Sequence, residues 1–251
     1  VENMPEDVAD KNWEEKIKYR FSQLGGLKDK DVEFRLTLNS GVWGQVPFEK
    51  AYAEGVLKNG IMKLNDFEID EIATAQVALK GEISGFGAKP AVKQMKDGIE
   101  IKDNEKFAKK LKMDFPSINL KNLSPLTSKG IVSGDFDRAR LKFATKLGDI
   151  DNKFNGEVSR GENSYVWDGR VELYSSDFVR MLNNFSIDYH PNYPLGLFRF
   201  VADVKGNFDN VSCKNVDTNV GSNNFKGEMT YSKIGKLKSV KAVANANSIE
   251  F

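Results

Sequence analysis

The chain has 251 residues, with 37 Lys plus Arg and 36 Asp plus Glu, so its formal net charge is +1. This balance excludes the uniform basic field that sequence-independent nucleic-acid binding requires, and we expect no nucleic-acid partner. The single cysteine, Cys213, excludes an internal disulfide framework and multi-cysteine metal sites. A hydrophobic content of 40% argues against disorder, and the longest uncharged run, 13 residues at 36–48, is too short to span a bilayer.

Two apolar patterns near the N-terminus have different periods. Residues 13–24 place apolar side chains at helical spacing, which predicts a short amphipathic helix that ends at the glycines 25 and 26. From Val32 to Leu38 apolar and polar residues alternate strictly. Because successive side chains of a strand point to opposite faces, this alternation predicts a strand with one apolar face.

Asn59-Gly60 is the strongest hairpin signal in the sequence, because both residues tolerate the positive φ angles of a type I′ turn. A two-residue turn there pairs Leu57 with Met62 and Gly55 with Leu64. The pairing predicts that Leu57, Met62 and Leu64 share one face.

The remaining chain also favours strands. Val77, Leu79 and Ile83 share a face, and alternation is nearly continuous from residue 141 onward, interrupted by residues 176–185, which predict a short helix. Residues 85–115 show no single period, so we expect an irregular insert there, with one or two helical turns at 105–111. The predicted fold class is mainly β: a long antiparallel sheet with a few short crossing helices.

Two stretches of the chain repeat each other. Residues 132–137 and 154–158 correspond to residues 204–209 and 225–229, with offsets of 72 and 71, and the copies end at 177–179 and 248–251. A fainter copy begins at residues 79–83 and ends at 117–120. We therefore divide the chain into an N-terminal part at 1–115, a repeat at 116–185 and a repeat at 186–251.

The repeat carries glycine between apolar residues, as at Gly134, Gly156, Gly206 and Gly227. A glycine inside a strand marks a bulge, a bend or the close approach of another backbone. These glycines share the face of their apolar neighbours, so bends there would let a long sheet curl with the apolar face inside. The alternative is that they are ordinary strand glycines.

The sequence contains no catalytic constellation. His190 lies in a proline-flanked loop, and no nucleophile-elbow pattern exists to supply a serine. The alternation around Cys213 predicts a buried or half-buried thiol. We therefore expect no enzyme activity, no metal and no cofactor.

The order of these elements resembles the AsmA-like family of AsmA/TamB-type envelope proteins, which is related to the repeating β-groove, bridge-like lipid-transfer proteins. The resemblance rests on the spacing at 13–24, the strands at 31–38 and 56–64, and the paired signatures at 206–209, 225–228 and 248–251. It covers most of residues 1–251 as one β-groove region. The chain departs from the family pattern by the insert at 85–115 and by carrying no anchor helix.

The resemblance implies a curled sheet, a β-groove or taco, with an apolar lining that houses phospholipid acyl chains between the inner and outer membranes. It implies a periplasmic protein held at the inner membrane by a segment absent from this chain, with a role in outer-membrane biogenesis. On this view the chain is part of a longer protein, and its partners are phospholipid and envelope membrane proteins. The expected lining residues are Phe34, Leu36, Leu64, Val77, Leu79, Phe143, Phe154, Trp167, Phe200, Val204, Phe225 and Met229.

Three alternatives compete with this interpretation. The apolar face could be the core of a β-sandwich with no ligand, which composition alone favours. The chain could be a structural or assembly factor for outer-membrane proteins that binds no lipid and uses its sheet edges. A β-solenoid enzyme acting on polysaccharide would need a carboxylate cluster, and a repeat near 72 residues is far longer than a solenoid coil.

Overall fold

Thirteen strands pair in sequence order in one antiparallel sheet. The computed structural model describes residues 13–43, 46–115, 118–162, 164–235 and 237–246. The strands are β1 (Val32–Trp43), β2 (Val46–Lys58), β3 (Ile61–Ile72), β4 (Ala75–Ser84), β5 (Ala91–Ile101), β6 (Leu126–Asp135), β7 (Arg138–Leu147), β8 (Ile150–Arg160), β9 (Tyr165–Ser175), β10 (Phe198–Gly206), β11 (Asn210–Val220), β12 (Asn223–Ile234) and β13 (Leu237–Ala246). The fold class expected from the sequence is confirmed.

Short helices occupy the places that the sequence predicts. In the described ranges they are α1 (Trp13–Gln23), α2 (Asn104–Lys110), α3 (Phe178–Asn184) and a 3-10 turn at Gly25–Leu27. Asp103 caps α2 by accepting a hydrogen bond from the Lys106 amide, and Asp177 caps α3 in the same way. Such caps satisfy amide groups that a helix start leaves without partners, so each helix begins at its aspartate.

The predicted hairpin at Asn59-Gly60 is confirmed. The φ angles of the two residues are 51° and 70°, as a type I′ turn requires. Leu57 pairs with Met62 and Gly55 pairs with Leu64. A two-residue turn fixes the register of the strands that flank it, so this local signal correctly set the faces of β2 and β3.

The expectation of an irregular insert at 85–115 is wrong for residues 91–101. They form β5, which pairs with β4 on one side and β6 on the other. The register shifts between Val92 and Met95, where Gln94 has a φ of 47°. A bulge adds one residue and reverses the alternation beyond it, which is why the sequence shows no single period.

The first copy of the sequence repeat corresponds to four strands followed by α3, and the described part of the second copy corresponds to four strands. Gly134 lies near the end of β6 with a φ of 133°, and Gly206 lies near the end of β10 with a φ of 156°. Gly156 and Gly227 lie inside β8 and β12. The unit β6–β9 is therefore followed by a second unit, β10–β13. The repeat ending at 248–251 lies outside the described residues, as does Ser117 of the fainter copy.

The sheet curls toward its apolar face. A Cβ atom added at Gly156 would lie 2.6 Å from the Gly169 Cα atom, and one added at Gly81 would lie 2.6 Å from the Met95 Cα atom. These missing side chains point to the apolar face, so the neighbouring strands tilt toward that face. The contacts support the interpretation that strand glycines permit bends, over the alternative of ordinary strand glycines.

Candidate functional site

One face of the sheet carries all twelve residues that the sequence nominates as a groove lining. Directly paired residues of neighbouring strands lie on the same face, and the pairing can be followed from β1 to β13. Phe34 pairs with Gly55 and Gly55 with Leu64, while Phe143 pairs with Phe154. The lining set on this face is Phe34, Leu36, Leu64, Val77, Leu79, Phe143, Phe154, Trp167, Phe200, Val204, Phe225 and Met229. We call this surface the apolar face.

A cluster of buried side chains lies on the apolar face in the second half of the sheet. Phe154, Ala202, Val204 and Cys213 are buried, and half-buried residues from β7 to β12 pack against them. The rings of Phe143 and Phe154 lie 5.4 Å apart. Cys213 is thus a buried thiol, as its position in the alternation predicts, and burial raises its pKa.

The apolar face is most exposed at the two edges of the sheet. Leu36 of β1 is 51% exposed and Val240 of β13 is 63% exposed, whereas Leu64 and Phe154 are 7% and 8% exposed. Every strand in the described ranges belongs to the same sheet, so no second sheet covers this face there. Its cover consists of the curl of the sheet and the segments at the two ends of the strands. The β-sandwich alternative requires two facing sheets and does not match this arrangement.

One end of the apolar face is closed by the segments that carry α2 and α3. Leu123 is fully buried against Ile150 of β8 and Met181 of α3. The ring of Phe178 lies 5.1 Å from that of Phe198 at the start of β10. Helix α3 and residues 118–123 therefore form a small core with the ends of β7 to β10, next to the larger cluster. Asn104 of α2 joins this segment by donating a hydrogen bond to the Leu123 carbonyl oxygen.

The opposite end is crossed by α1. Glu14 is 6% exposed and forms ion pairs with Lys18, at 2.5 Å, and with Arg160 at the end of β8. The ring of Phe21 stacks on that of Phe86, in the loop between β4 and β5, at 5.4 Å. The helix thus spans from the β8–β9 turn to the β4–β5 loop.

The other face of the sheet is polar and carries several open depressions. One of about 490 Å³ is lined by Lys129, Lys146, Lys153, Glu172 and Arg199, among other residues. These charged side chains are exposed, and the ion pair between Lys153 and Glu172 measures 3.9 Å. Exposed pairs of this kind contribute little, so the depression offers a solvated polar surface.

A polar feature of the apolar face does not follow from the sequence analysis. Asp97 pairs with Leu79 of β4 and Gly130 of β6, so its carboxyl group lies among apolar residues. Burial raises its pKa. The sequence analysis placed Asp97 in an irregular insert and so assigned it no face. Counting the alternation backwards from Ile101 through Ile99 would have placed it on the apolar side.

His190 and Asp188 lie in an exposed loop, where the two side chains approach to 2.7 Å. Within the described ranges, no group of three or more His, Cys, Asp or Glu residues is placed to hold a metal ion. No described helix is long and apolar enough to cross a membrane.

These features define a class of protein: an open, single-layer antiparallel sheet that curls around an apolar face. Comparison with known proteins finds no matching family model, no matching curated protein and no matching solved structure.

Proposed function

We propose that the chain binds phospholipid by holding acyl chains against the apolar face. The observation that carries this proposal is a single sheet with a half-exposed apolar face and no second sheet over it in the described residues. A large contiguous patch of exposed apolar surface is unusual on a soluble protein and commonly marks an interaction site. Acyl chains fit such a face because they need only apolar contacts and no polar recognition.

The energetics need only apolar area. Moving a methylene group from water to an apolar surface contributes about 0.8 kcal/mol. Twelve strand spacings of about 4.8 Å give a face about 58 Å long. Such a face can accept several acyl chains end to end, and its open side lets lipids enter and leave.

The wider role that we propose follows the resemblance to the AsmA-like family. It is lipid binding or transfer in the periplasm, between inner and outer membranes, by a protein anchored in the inner membrane through a segment outside this chain. Support comes from the four-strand repeat, the glycine-dependent curl and the crossing helices. Membrane-extracted full-length protein is the proper material for testing this wider role.

The binding proposal is tested by native mass spectrometry of the purified chain. We expect phospholipid to co-purify with the wild type. Leu79→Asp places a charge on the apolar face and should remove the lipid. The matched control is Gln76→Asp, which places the same charge on the exposed polar face of β4 and should leave lipid binding unchanged.

Both variants are checked for folding by circular dichroism and urea unfolding. A wild-type chain that carries no lipid after gentle purification, and takes none up from vesicles, contradicts the proposal. Equal lipid retention in folded Leu79→Asp and Gln76→Asp variants contradicts it as well.

The edges of the sheet favour a second candidate function, a structural or assembly factor for outer-membrane proteins that binds no lipid. All ten residues of β13 are exposed, and Val243 is 79% exposed. An unpaired edge strand can accept a strand from another chain. A photo-crosslinker at Val243 should then capture an outer-membrane protein, while one at Lys153, in the sheet centre, should not.

A further inference from the structure

A carboxyl group lies in the middle of the apolar face. Asp97 is half-buried on β5, and its Oδ1 atom would lie 2.6 Å from a Cβ atom added at Gly130. Glycine at 130 thus leaves the space that the carboxyl group occupies. On the other side Asp97 pairs with Leu79, and beyond Gly130 the same row continues to Phe143.

This carboxyl group has no side-chain partner in the described part of the chain. The carboxylates of the polar face, such as Glu172 and Asp203, pair with Lys153 and Arg170. The interaction of Asp97 is with its own backbone amide. A half-buried carboxyl group without a cationic partner is costly, because burial removes water from the charge and one backbone amide replaces only part of that water.

Neutral polar groups continue from Asp97 across the next three strands. Ser128 of β6 pairs with Thr145 of β7, and Thr145 pairs with Asn152 of β8. The hydroxyl oxygens of Ser128 and Thr145 share a hydrogen bond of 3.1 Å. Ser128 lies two positions from Gly130, which places it diagonally next to Asp97, about 7 Å away. We call these four residues, Asp97, Ser128, Thr145 and Asn152, the polar seam.

The seam lies within the apolar face, with apolar residues around it. Val77 and Leu79 of β4 lie at its start, and Phe143 and Phe154 lie beside it on β7 and β8. Leu147 and Ile150 lie along its other side. A molecule held there would place its apolar parts on these neighbours and a polar group at the seam. The seam therefore fits an amphiphile and would only weaken the binding of a purely apolar chain.

We infer that the polar seam is a headgroup site for a phospholipid whose headgroup carries a primary ammonium group. The ammonium group donates to the Asp97 carboxylate. With Ser128 donating to the Thr145 hydroxyl oxygen, the Thr145 hydroxyl and the Asn152 amide donate to the phosphate oxygens. A carboxylate accepts from an ammonium group and repels a phosphate that has no cation beside it. This inference rests on the proposed lipid binding and adds the class of headgroup.

The test offers the full chain equimolar vesicles of phosphatidylethanolamine, phosphatidylcholine and phosphatidylglycerol, and quantifies the bound lipids by mass spectrometry. Phosphatidylcholine has the same net charge but no N–H donor, and phosphatidylglycerol has no cation. We expect the wild type to enrich phosphatidylethanolamine about tenfold over each of the others, the equivalent of one charge-assisted hydrogen bond.

Asp97→Asn keeps the shape of the side chain and removes its charge, so the enrichment should fall to about twofold or less while total bound lipid is retained. Glu100→Gln is the matched control, because it makes the same change at an exposed site on the polar face of β5. Thr145→Val removes a phosphate donor that serves all three lipids. It should lower total binding and leave the enrichment unchanged.

The outcomes separate the two proposals. A wild type that binds no lipid overturns both the lipid function and the seam. A wild type that binds the three lipids without preference, or an Asp97→Asn variant that keeps the wild-type enrichment, overturns the seam and leaves lipid binding standing.

Discussion

The Tyr165 hydroxyl donates a hydrogen bond of 2.8 Å to the Glu14 carboxylate, joining residues that are 151 positions apart in the sequence. Arg160 also donates to Glu14 and forms an ion pair of 3.0 Å with Asp137. Asp137 in turn pairs with Lys89 in the β4–β5 loop. Helix α1 is therefore joined to three strand connections through one network of charges at one end of the sheet.

Glu14→Ala should lower the free energy of unfolding by about 2 kcal/mol, because it leaves Arg160 and Tyr165 without their buried acceptor. Tyr165→Phe should cost about 1 kcal/mol, since it removes one hydrogen bond. Urea unfolding followed by tryptophan fluorescence measures both changes. Glu105→Ala, at an exposed position of α2, is the control and should change stability by less than about 0.5 kcal/mol. Equal effects of Glu14→Ala and Glu105→Ala would contradict the network.

The same network should make the protein sensitive to acid. The Lys18 hydrogen bond, helped by Tyr165 and Arg160 and opposed by burial, lowers the pKa of Glu14 below its ordinary 4.5. A lowered pKa means that the folded state holds the charged form, so the stabilisation is present above pH 4.5 and is lost as pH falls through the folded-state pKa. Melting temperatures between pH 6 and pH 2.5 should decline more steeply in the wild type than in Glu14→Gln. Parallel curves would count against this role of Glu14.

Gly156 should tolerate no side chain. A Cβ atom at this position would lie 2.5 Å from the Asp168 carbonyl oxygen, so Gly156→Ala must push two strands apart and should cost about 2 to 3 kcal/mol. Gly98→Ala is the matched control within a strand, because its nearest neighbour, the Ala78 Cβ atom, would lie 3.8 Å away. It should be neutral or slightly stabilising. Urea unfolding measures the change in the free energy of unfolding for both variants. Equal losses of stability at the two glycines would contradict a bend at Gly156.

The faces of the sheet could be predicted wherever strict alternation or a tight turn fixed the register. The Asn59-Gly60 turn set Leu57, Met62 and Leu64 correctly, because a type I′ turn determines its own pairing. The contact between Glu14 of α1 and Tyr165 of β9 could not be predicted, because no local sequence pattern links two residues that are 151 positions apart.

Strand β5 escaped prediction for a local reason. Its bulge near Gln94 reverses the alternation, so the two halves of the strand contradict each other when they are read with one period. The missed strand also hid a residue of the candidate site, because Asp97 lies between the bulge and the end of β5. A bulge is decided by the pairing of β5 with both neighbours, and the sequence of β5 alone does not specify that pairing.

Asp97→Asn should stabilise the isolated protein even as it removes the headgroup preference. Burial raises the pKa of Asp97 above its ordinary 3.8, so the folded state holds the proton more tightly than the unfolded chain does. Stability therefore falls as pH rises from 3.8 through the raised pKa, and the full cost of the charge is present at pH 7. Removing that charge should raise the free energy of unfolding by about 1 kcal/mol at pH 7. At pH 3 the aspartate of the wild type is protonated, so urea unfolding should show no difference in the free energy of unfolding between the wild type and Asp97→Asn. The exposed control Glu100→Gln should show no gain in the free energy of unfolding at pH 7. A gain of equal size at both pH values would mean that the asparagine stabilises the protein by packing, and that the charge at position 97 carries no cost.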